Sequence, residues 1–276
     1  ADLATCLETV APDLLDPTLQ RDVLMKVAAV AQHDLGDKAR AKTFYEKALE
    51  QQADFAPALD ALESLHEESE GWPELLAVVR RKVELAAAVR AHEAILDHGF
   101  DREATHALER LYAAEGRWDD LAALLEGQLP LDGADVADLH FRLGTVVMDH
   151  LGDADRALDH FREVLERQPD HDATVTALER LGAREGYAAR TAAMLEPIYR
   201  RRMDTPKLIG ALEARIAAET DVYARKALLG SLGSLYEETL GKLDEALETY
   251  ARVFREELGD RDTWEVLTRL ARSTGK

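Results

Sequence analysis

Residue types that would point to particular chemistries are scarce in this chain of 276 residues. A single cysteine, Cys6, excludes an internal disulfide framework and fits a reducing compartment. We therefore expect a cytoplasmic location, with the periplasm as the alternative. No apolar run approaches the roughly 18–20 residues that cross a bilayer, so we expect no membrane insertion.

Basic residues are also in the minority. The chain has 34 Lys and Arg against 54 Asp and Glu, which gives a net charge of −20. Nucleic-acid binding needs clustered basic side chains, so this charge argues against it. We interpret the only dense basic triplets, residues 80–82 and 200–202, as solvated helix ends and not as a docking patch. A protein partner, if charged, should present a basic surface.

Three stretches of the chain align without a gap over many residues. They are residues 23–37, 139–153 and 228–242, and the offsets between them are 116 and 89. The same offsets relate Ala41 to Ala157 and Ala246, and they relate Tyr45 to Phe161 and Tyr250. Self-similarity of this kind is the signature of a stacked repeat architecture. The chain is therefore predicted to be a helical repeat array.

Each repeat has the features of a helical hairpin. Within residues 154–167 the apolar positions follow the i, i+3, i+4, i+7 pattern of an amphipathic helix. Alanine recurs where two helices must cross closely, and an aromatic residue follows one turn later. Gly36 and its counterparts stand between the two helices, where a left-handed turn needs no side chain. Asp37 and Asp153 follow as N-cap residues, whereas the third copy has Lys242 there.

These residues resemble the tetratricopeptide repeat. Leu232-Gly233-x-x-Tyr236, followed by Ala246 and Tyr250, matches the Leu-Gly-x-x-Tyr … Ala … Phe/Tyr order of that family. The second copy also matches with Leu143-Gly144, Ala157, Phe161 and Pro169. The first copy has Val27-Ala28 in place of Leu-Gly, and the loop at Gly152 is one residue longer than the consensus. The resemblance implies a divergent subtype with an all-α fold, a right-handed superhelical α-solenoid of antiparallel helix pairs, and the residue usage suggests a bacterial source.

We predict about fifteen helices in one repeat array with modules at 1–133, 134–219 and 220–276. The chain begins and ends at the same phase of the repeat, which indicates a piece of a longer array that stacks on neighbouring repeats of its parent chain. The predicted helices are 17–35, 38–51, 55–70, 73–86, 88–98, 101–115, 118–129, 135–150, 154–167, 171–185, 187–202, 205–219, 222–240, 243–257 and 260–273.

Motifs for catalysis or cofactor binding do not occur in the sequence. His92-Glu93 begins a zinc-protease motif, but position 96 is leucine and not the second histidine. No Gly-x-Ser-x-Gly motif occurs, and the nine histidines are scattered. We therefore predict a protein that is not an enzyme and that uses neither a metal nor a cofactor.

The resemblance implies that the first helix of each hairpin lines a concave groove that binds a peptide or a protein. Apolar side chains ringed by carboxylates would suit an adaptable contact, with packing on neighbouring helices as the alternative for Met25 and Phe141. The family also clamps a peptide carboxylate with Lys, Arg and paired Asn, which this chain without asparagine does not favour. The groove positions in this register are Met25, Gln32, His33, Phe141, Thr145, Met148, Asp149, Ser234, Glu237 and Glu238.

Three functional classes remain open. The first is a protein–protein interaction scaffold, which the fold and the missing catalytic motifs favour. The second is a structural spacer between domains of the parent protein. The third is the regulatory or substrate-presenting arm of an enzyme whose catalytic domain lies outside this chain.

Overall fold

The computed structural model describes residues 11, 14, 16–131 and 135–276. Cys6 and its neighbours lie outside the described residues. They include the first residues of the chain, from which the sequence analysis inferred the point in the repeat at which the chain begins. Within the described ranges the chain forms fourteen α-helices and no β-strand. In chain order, α1 to α14 are Pro17–His33, Lys38–Gln51, Ala56–Glu68, Trp72–Leu96, Arg102–Glu115, Trp118–Gln128, Val136–Val146, Ala154–Arg167, Asp172–Gly182, Ala188–Arg202, Thr205–Ala218, Val222–Ser234, Leu243–Glu256 and Arg261–Thr274.

The chain divides into two compact units, residues 1–132 and 133–276. In each unit, consecutive helices pack on one another, as in α1 with α2 and α7 with α8. This all-α arrangement of helical hairpins is the predicted repeat architecture. Each unit has its own apolar core, one centred on α1 to α3 and the other running from α7 to α13. A further division of the second unit after residue 219 stays a prediction.

One predicted break between helices is wrong. The sequence analysis placed separate helices at 73–86 and 88–98, whereas α4 is a single helix of 25 residues. Residues 86–88 are three consecutive alanines, which have the highest helix propensity, and α4 has neither glycine nor an internal proline that would end it. Helix α4 has apolar residues on two faces, and this pattern suggested that a second helix began after residue 86.

The three aligned copies share one connection between their two helices. Gly36, Gly152 and Gly241 all have positive φ angles, from 64° to 71°. The residue after each glycine donates its backbone N–H six residues back: Asp37 to Ala31, Asp153 to Val147 and Lys242 to Tyr236. The Asp37 and Asp153 side chains then cap the next helix, at 3.0 Å from the N–H groups of Arg40 and Arg156. The predicted glycine turn and its two aspartate caps are confirmed.

The extra residue of the longer connection is accommodated inside the first helix. Residues Val147–Leu151 and Leu235–Thr239 form single π-helical turns that continue α7 and α12. Gly152 accordingly donates to the Val147 carbonyl, five residues back. Single π-turns of this kind insert one residue into an α-helix without breaking it.

The two helices of a copy cross most closely where small residues face aromatic rings. Ala41, Ala157 and Ala246 are each 0% exposed, as their predicted crossing position requires. On the facing helix, a Cβ added to Gly144 would lie 2.6 Å from the Phe161 ring, and one added to Gly233 would lie 2.8 Å from the Tyr250 ring. Glycine is therefore required at both positions, because the ring occupies the space of a side chain.

Candidate functional site

The predicted partner-binding face lies on the first helix of each copy, and in the second unit this helix has two distinct sides. On α7, Phe141, Gly144 and Met148 follow one another at helical spacing and pack towards α8. Asp138 and Asp149 lie on the exposed side of the same helix and its π-turn. The side that carries the charged residues is therefore the side that faces solvent.

Met148 is not a groove residue, which corrects the sequence analysis. Its side chain is 2% exposed and belongs to the core of the second unit. The reason is its spacing, since Met148 lies one turn after Gly144 and residues four apart share a helix face. Phe141 is half-buried on the same face, with its ring 6.3 Å from Phe161 and edge-on to His171 at 5.0 Å.

The predicted polar positions of the second unit behave differently from one another. The Thr145 hydroxyl donates to the Phe141 carbonyl within α7, at 2.9 Å. Ser234 lies 3.2 Å from the Tyr250 hydroxyl, so it contacts the second helix of its own copy. Glu237 is half-buried and Glu238 is exposed. Of these four, Glu238 is the side chain most accessible to a partner.

The first unit places its three predicted residues in three environments. Met25 is half-buried against the apolar core of that unit. Gln32 accepts a hydrogen bond from the Tyr45 hydroxyl at 2.8 Å, which links the two helices of the copy. His33 is exposed at the end of α1. Of the three, His33 is the one that is exposed.

Two arginines that the sequence analysis missed pair with predicted carboxylates. Arg180 on α9 donates to Asp149 at 2.7 Å, and Arg269 on α14 pairs with Glu237. The two arginines are separated by 89 residues, the same offset that relates the second copy to the third. Their side chains are 59% and 56% exposed, whereas the paired carboxylates are 24% and 16% exposed. The offset was the signal that could have identified this pair of arginines.

A groove in the second unit was also missed. It has a volume of about 320 Å³ and lies among α9, α10 and α11, with a floor of small residues that includes Gly182, Ala192 and Ala211. At its polar end, Glu179 accepts hydrogen bonds from the Tyr199 hydroxyl at 2.8 Å and from Lys207 at 2.7 Å. The groove can receive one or two small apolar side chains.

The two hydrogen bonds keep Glu179 charged. Burial alone would raise the pKa of Glu179, but the bonds from Lys207 and Tyr199 outweigh it and hold the pKa below its usual value. Burial, reinforced by the bond to Glu179, raises the pKa of Tyr199, which therefore stays protonated. The polar end of the groove is thus a fixed carboxylate with two donors, an arrangement for structure or recognition and not for proton transfer near neutral pH.

Glu179 belongs to a motif that recurs in the chain. The same Ala-Leu-Glu triplet occurs at residues 48–50, 61–63, 107–109, 177–179, 211–213 and 246–248. In the triplets at 61–63, 107–109, 177–179 and 211–213, a side chain from a later helix donates a hydrogen bond to the glutamate. The partners are Lys82 for Glu63, Gln128 for Glu109, Tyr199 and Lys207 for Glu179, and Arg252 for Glu213.

Among the described residues, no cluster of three or more His, Cys, Asp or Glu has the arrangement of a metal site. A search of the same residues for a helix long and apolar enough to span a bilayer found none. His140 on α7 and His160 on α8 form a pair of potential ligands, with their Nδ1 atoms 3.0 Å apart. With only two members, this pair is a contact between helices.

Models of the tetratricopeptide repeat match four segments of the chain. They cover residues 27–55, 104–137, 138–171 and 228–262. Three of these segments overlap the aligned copies, and the fourth covers most of α5, all of α6 and the start of α7. No curated protein shows significant sequence similarity to the chain.

Solved structures of tetratricopeptide repeat proteins are similar to the chain at low identity. The TPR domain of P58(IPK) is 16% identical, with 91% of this chain and 88% of that one covered and a TM-score of 0.30. A tetratricopeptide repeat protein from Parabacteroides merdae is 13% identical, with 91% and 98% covered and a TM-score of 0.32. The Cut9–Hcn1 hetero-tetramer of the APC/C matches at 15% identity, 97% and 46% coverage and a TM-score of 0.26.

Proposed function

Because the chain belongs to the tetratricopeptide repeat family, and is in general terms a protein-interaction scaffold, we propose that it binds a protein or peptide partner that carries basic residues. The partner contacts the exposed side of the first helices, which the family uses as its concave face. In the second unit this surface includes Asp149, Glu237 and Glu238, together with Arg180 and Arg269. The two arginines recur at the repeat offset of 89 residues, and each pairs with a carboxylate on the π-turn that continues a first helix; this is the observation that carries the proposal.

The charge balance supports a basic partner. If all 34 basic side chains paired with one carboxylate each, 20 of the 54 carboxylates would still lack a basic partner within the chain. An acidic surface of this kind attracts basic partners and accelerates their encounter.

The two exposed arginines support the use of this surface for recognition. Exposed ion pairs contribute only about 0–1 kcal/mol to stability, so these pairs add little to the fold. They do hold Asp149 and Glu237 in defined positions across neighbouring helices. A basic group of the partner then meets oriented carboxylates, while the arginines remain available to carboxylates or carbonyl groups of the partner.

The experiment is selection of peptides from a random library with the purified chain as bait, followed by kinetic measurement of the captured peptides. We expect lysine and arginine to be enriched among them. Replacement of Glu238→Lys should lower the association rate and flatten its dependence on salt, because exposed charges act mainly by steering. Replacement of Arg180→Ala should chiefly increase the dissociation rate, because it releases Asp149.

Glu166→Lys is the matched control for Glu238→Lys, since Glu166 is an exposed carboxylate on α8, the second helix of the second copy. It makes the same change in net charge, so an equal effect would show that only the overall acidity attracts the peptides. If selection captures no specific sequence, a structural spacer becomes the better description of the chain. If none of the three substitutions changes the binding kinetics of the captured peptides, the partner binds elsewhere on the chain.

The remaining finer proposals concern chemistry and location. We propose that the chain turns over no substrate and needs neither metal nor cofactor, which is supported by its membership of a family of scaffolds. Thermal unfolding that is unchanged by a chelator would agree with this, because structural metals contribute directly to folding. A cytoplasmic location is supported by the single cysteine.

A further inference from the structure

The long helix α4 of the first unit has apolar residues on two opposite sides. One side packs inside the unit through Leu85 and Val89, which are 9% and 2% exposed. The other side carries Trp72, Leu76 and Val83, which are 62%, 50% and 58% exposed. Bulky apolar residues that are exposed in a line along one helix indicate an interaction surface.

This exposed side is a continuous line, here named the α4 stripe. At 100° per residue its members fall within a narrow sector of the helix, and all of them are exposed. The stripe changes in character along its length, with bulky residues in the first half and mainly small ones in the second. Its members are Trp72, Leu76, Val83, Ala87, Arg90 and Ala94.

We propose that a second copy of this chain covers the α4 stripe, with the two α4 helices antiparallel about a twofold axis at Val83. In this arrangement, a residue that precedes position 83 by a given number of residues faces, on the other copy, the residue that follows position 83 by the same number. Trp72 of one copy then meets Ala94 of the other, and Leu76 meets Arg90 and its aliphatic stem. The bulky half of each helix packs on the smaller half of its partner, which is the self-complementarity that a twofold interface requires.

The charges beside the stripe fit the same arrangement. Arg80 and Glu84 are both exposed, lie on the same flank of the helix and bracket Val83. The twofold axis brings Arg80 of each copy close to Glu84 of the other, giving two symmetric ion pairs. Helix α4 has four basic and three acidic side chains, in a chain with a net charge of −20. The repulsion that opposes association of two acidic chains is therefore reduced at this helix.

The first test is sedimentation velocity over micromolar to submillimolar concentrations. A contact along one helix about 37 Å long is smaller than a standard interface, so we expect a reversible dimer with a Kd of about 1–100 µM. Val83→Glu should weaken it by about tenfold or more, since the two new carboxylates face each other across the axis. Val222→Glu, the same substitution at an exposed position of α12, should leave it unchanged.

A second test uses the charges. Arg80→Glu should weaken the dimer by placing two carboxylates together, and the double variant Arg80→Glu, Glu84→Arg should restore it by reversing both ion pairs. Restoration cannot follow from a general change in acidity, because the double variant has the net charge of the original chain.

Disulfide formation tests the direction of the helices, in a background with Cys6→Ser. Val83→Cys should form a cross-linked dimer under mild oxidation, because this residue meets its own copy at the axis. Leu76→Cys should not, because the two copies of residue 76 are separated by about 21 Å along the helix. Cross-linking through residue 76 would show parallel helices and overturn the arrangement.

A monomer at every concentration would overturn the proposal. So would a dimer that Val83→Glu leaves intact. If Val83→Glu lowers the thermal stability of a monomeric chain, a contact within the chain covers the stripe and the proposal is rejected. Capture of a different protein on the stripe, without self-association, would identify that protein as the occupant and also reject the proposal.

Discussion

The same position between two helices is apolar in the first copy, which lies in the first unit, and polar in the second copy, which lies in the second unit. In the first copy it is filled by Leu24 and Phe44, which are 6% and 3% exposed. In the second copy the equivalent residues are His140 and His160, with their Nδ1 atoms 3.0 Å apart. A hydrogen bond between them requires that one of the two nitrogens carries no proton. The repeat therefore tolerates a polar pair between its helices, and we expect that pair to make the stability of the second copy depend on pH.

The crossing of the two helices differs between the units in a second way. Ala28 of the first unit is replaced by Gly144 and Gly233 in the second, where the aromatic ring lies directly against the glycine. In the first unit the Tyr45 hydroxyl bonds to Gln32 on the facing helix. The same helix crossing thus accepts either alanine or glycine opposite the aromatic ring.

The largest effect is expected at the glycine crossing. Gly144→Ala should destabilise the second unit by about 1–3 kcal/mol, because the added Cβ overlaps the Phe161 ring, which is 0% exposed and has no room to move. Denaturant unfolding of the second unit, followed by hydrogen exchange, would measure it. Gly230→Ala is the control, since Gly230 lies within α12 and nothing occupies the space of its Cβ.

The control should stabilise by roughly 0.5–1 kcal/mol, because alanine is the better helix former. If Gly144→Ala behaves like the control, the crossing can open without cost. The difference between the two units would then be a drift in sequence and not a difference in packing.

A smaller effect, an increase in stability, is expected at two turns, one in each unit. Glu70 and Met203 both have a φ of +54°, a conformation that glycine adopts more easily than any other residue. Met203→Gly should stabilise the second unit by about 1 kcal/mol, and Glu70→Gly should do the same for the first. Met203 is 85% exposed, so no packing is lost. A loss of stability in thermal unfolding would show that the methionine has a contact with a partner or with its own chain.

The histidine pair should give the smallest effect, which appears only as the pH falls. Burial lowers the pKa of His140 below its ordinary value of 6.5; Glu163 opposes this and Arg167 reinforces it. The unfolded chain therefore binds a proton more readily. The stability contributed by neutral His140 is present above pH about 6.5 and is lost as the pH falls through the lower folded pKa.

Replacing the two histidines with the leucine and phenylalanine of the first copy tests this pH dependence directly. The double variant His140→Leu, His160→Phe should lose less stability between pH 7 and pH 5 than the original chain. His66 in the first unit, whose pKa is lowered by burial and by Lys42, provides the background that both proteins share. Equal pH dependence of the two proteins would mean that the histidine pair is not the sensitive contact.

The sequence by itself determined the repeats, the glycine turns and most helix boundaries. These features are local, since a helix needs only its periodic apolar residues and its caps, and the offsets of 116 and 89 residues repeat them. The three alanines at the crossing were identified for the same reason. The break in α4 was predicted wrongly because its second apolar stripe imitates a new register, and no local residue stops the helix.

Only the tertiary structure decided which side of each first helix is available to a partner. Phe141, Met148 and Asp149 lie within nine residues of one another, yet Met148 is in the core and Asp149 is paired with Arg180 on another helix. A sequence shows that a helix has two sides, but the neighbour that covers one of them is distant in the chain. The Phe161 ring that packs against Gly144 and the Arg180 side chain that pairs with Asp149 both come from other helices. Their positions therefore depend on tertiary packing and not on local propensity.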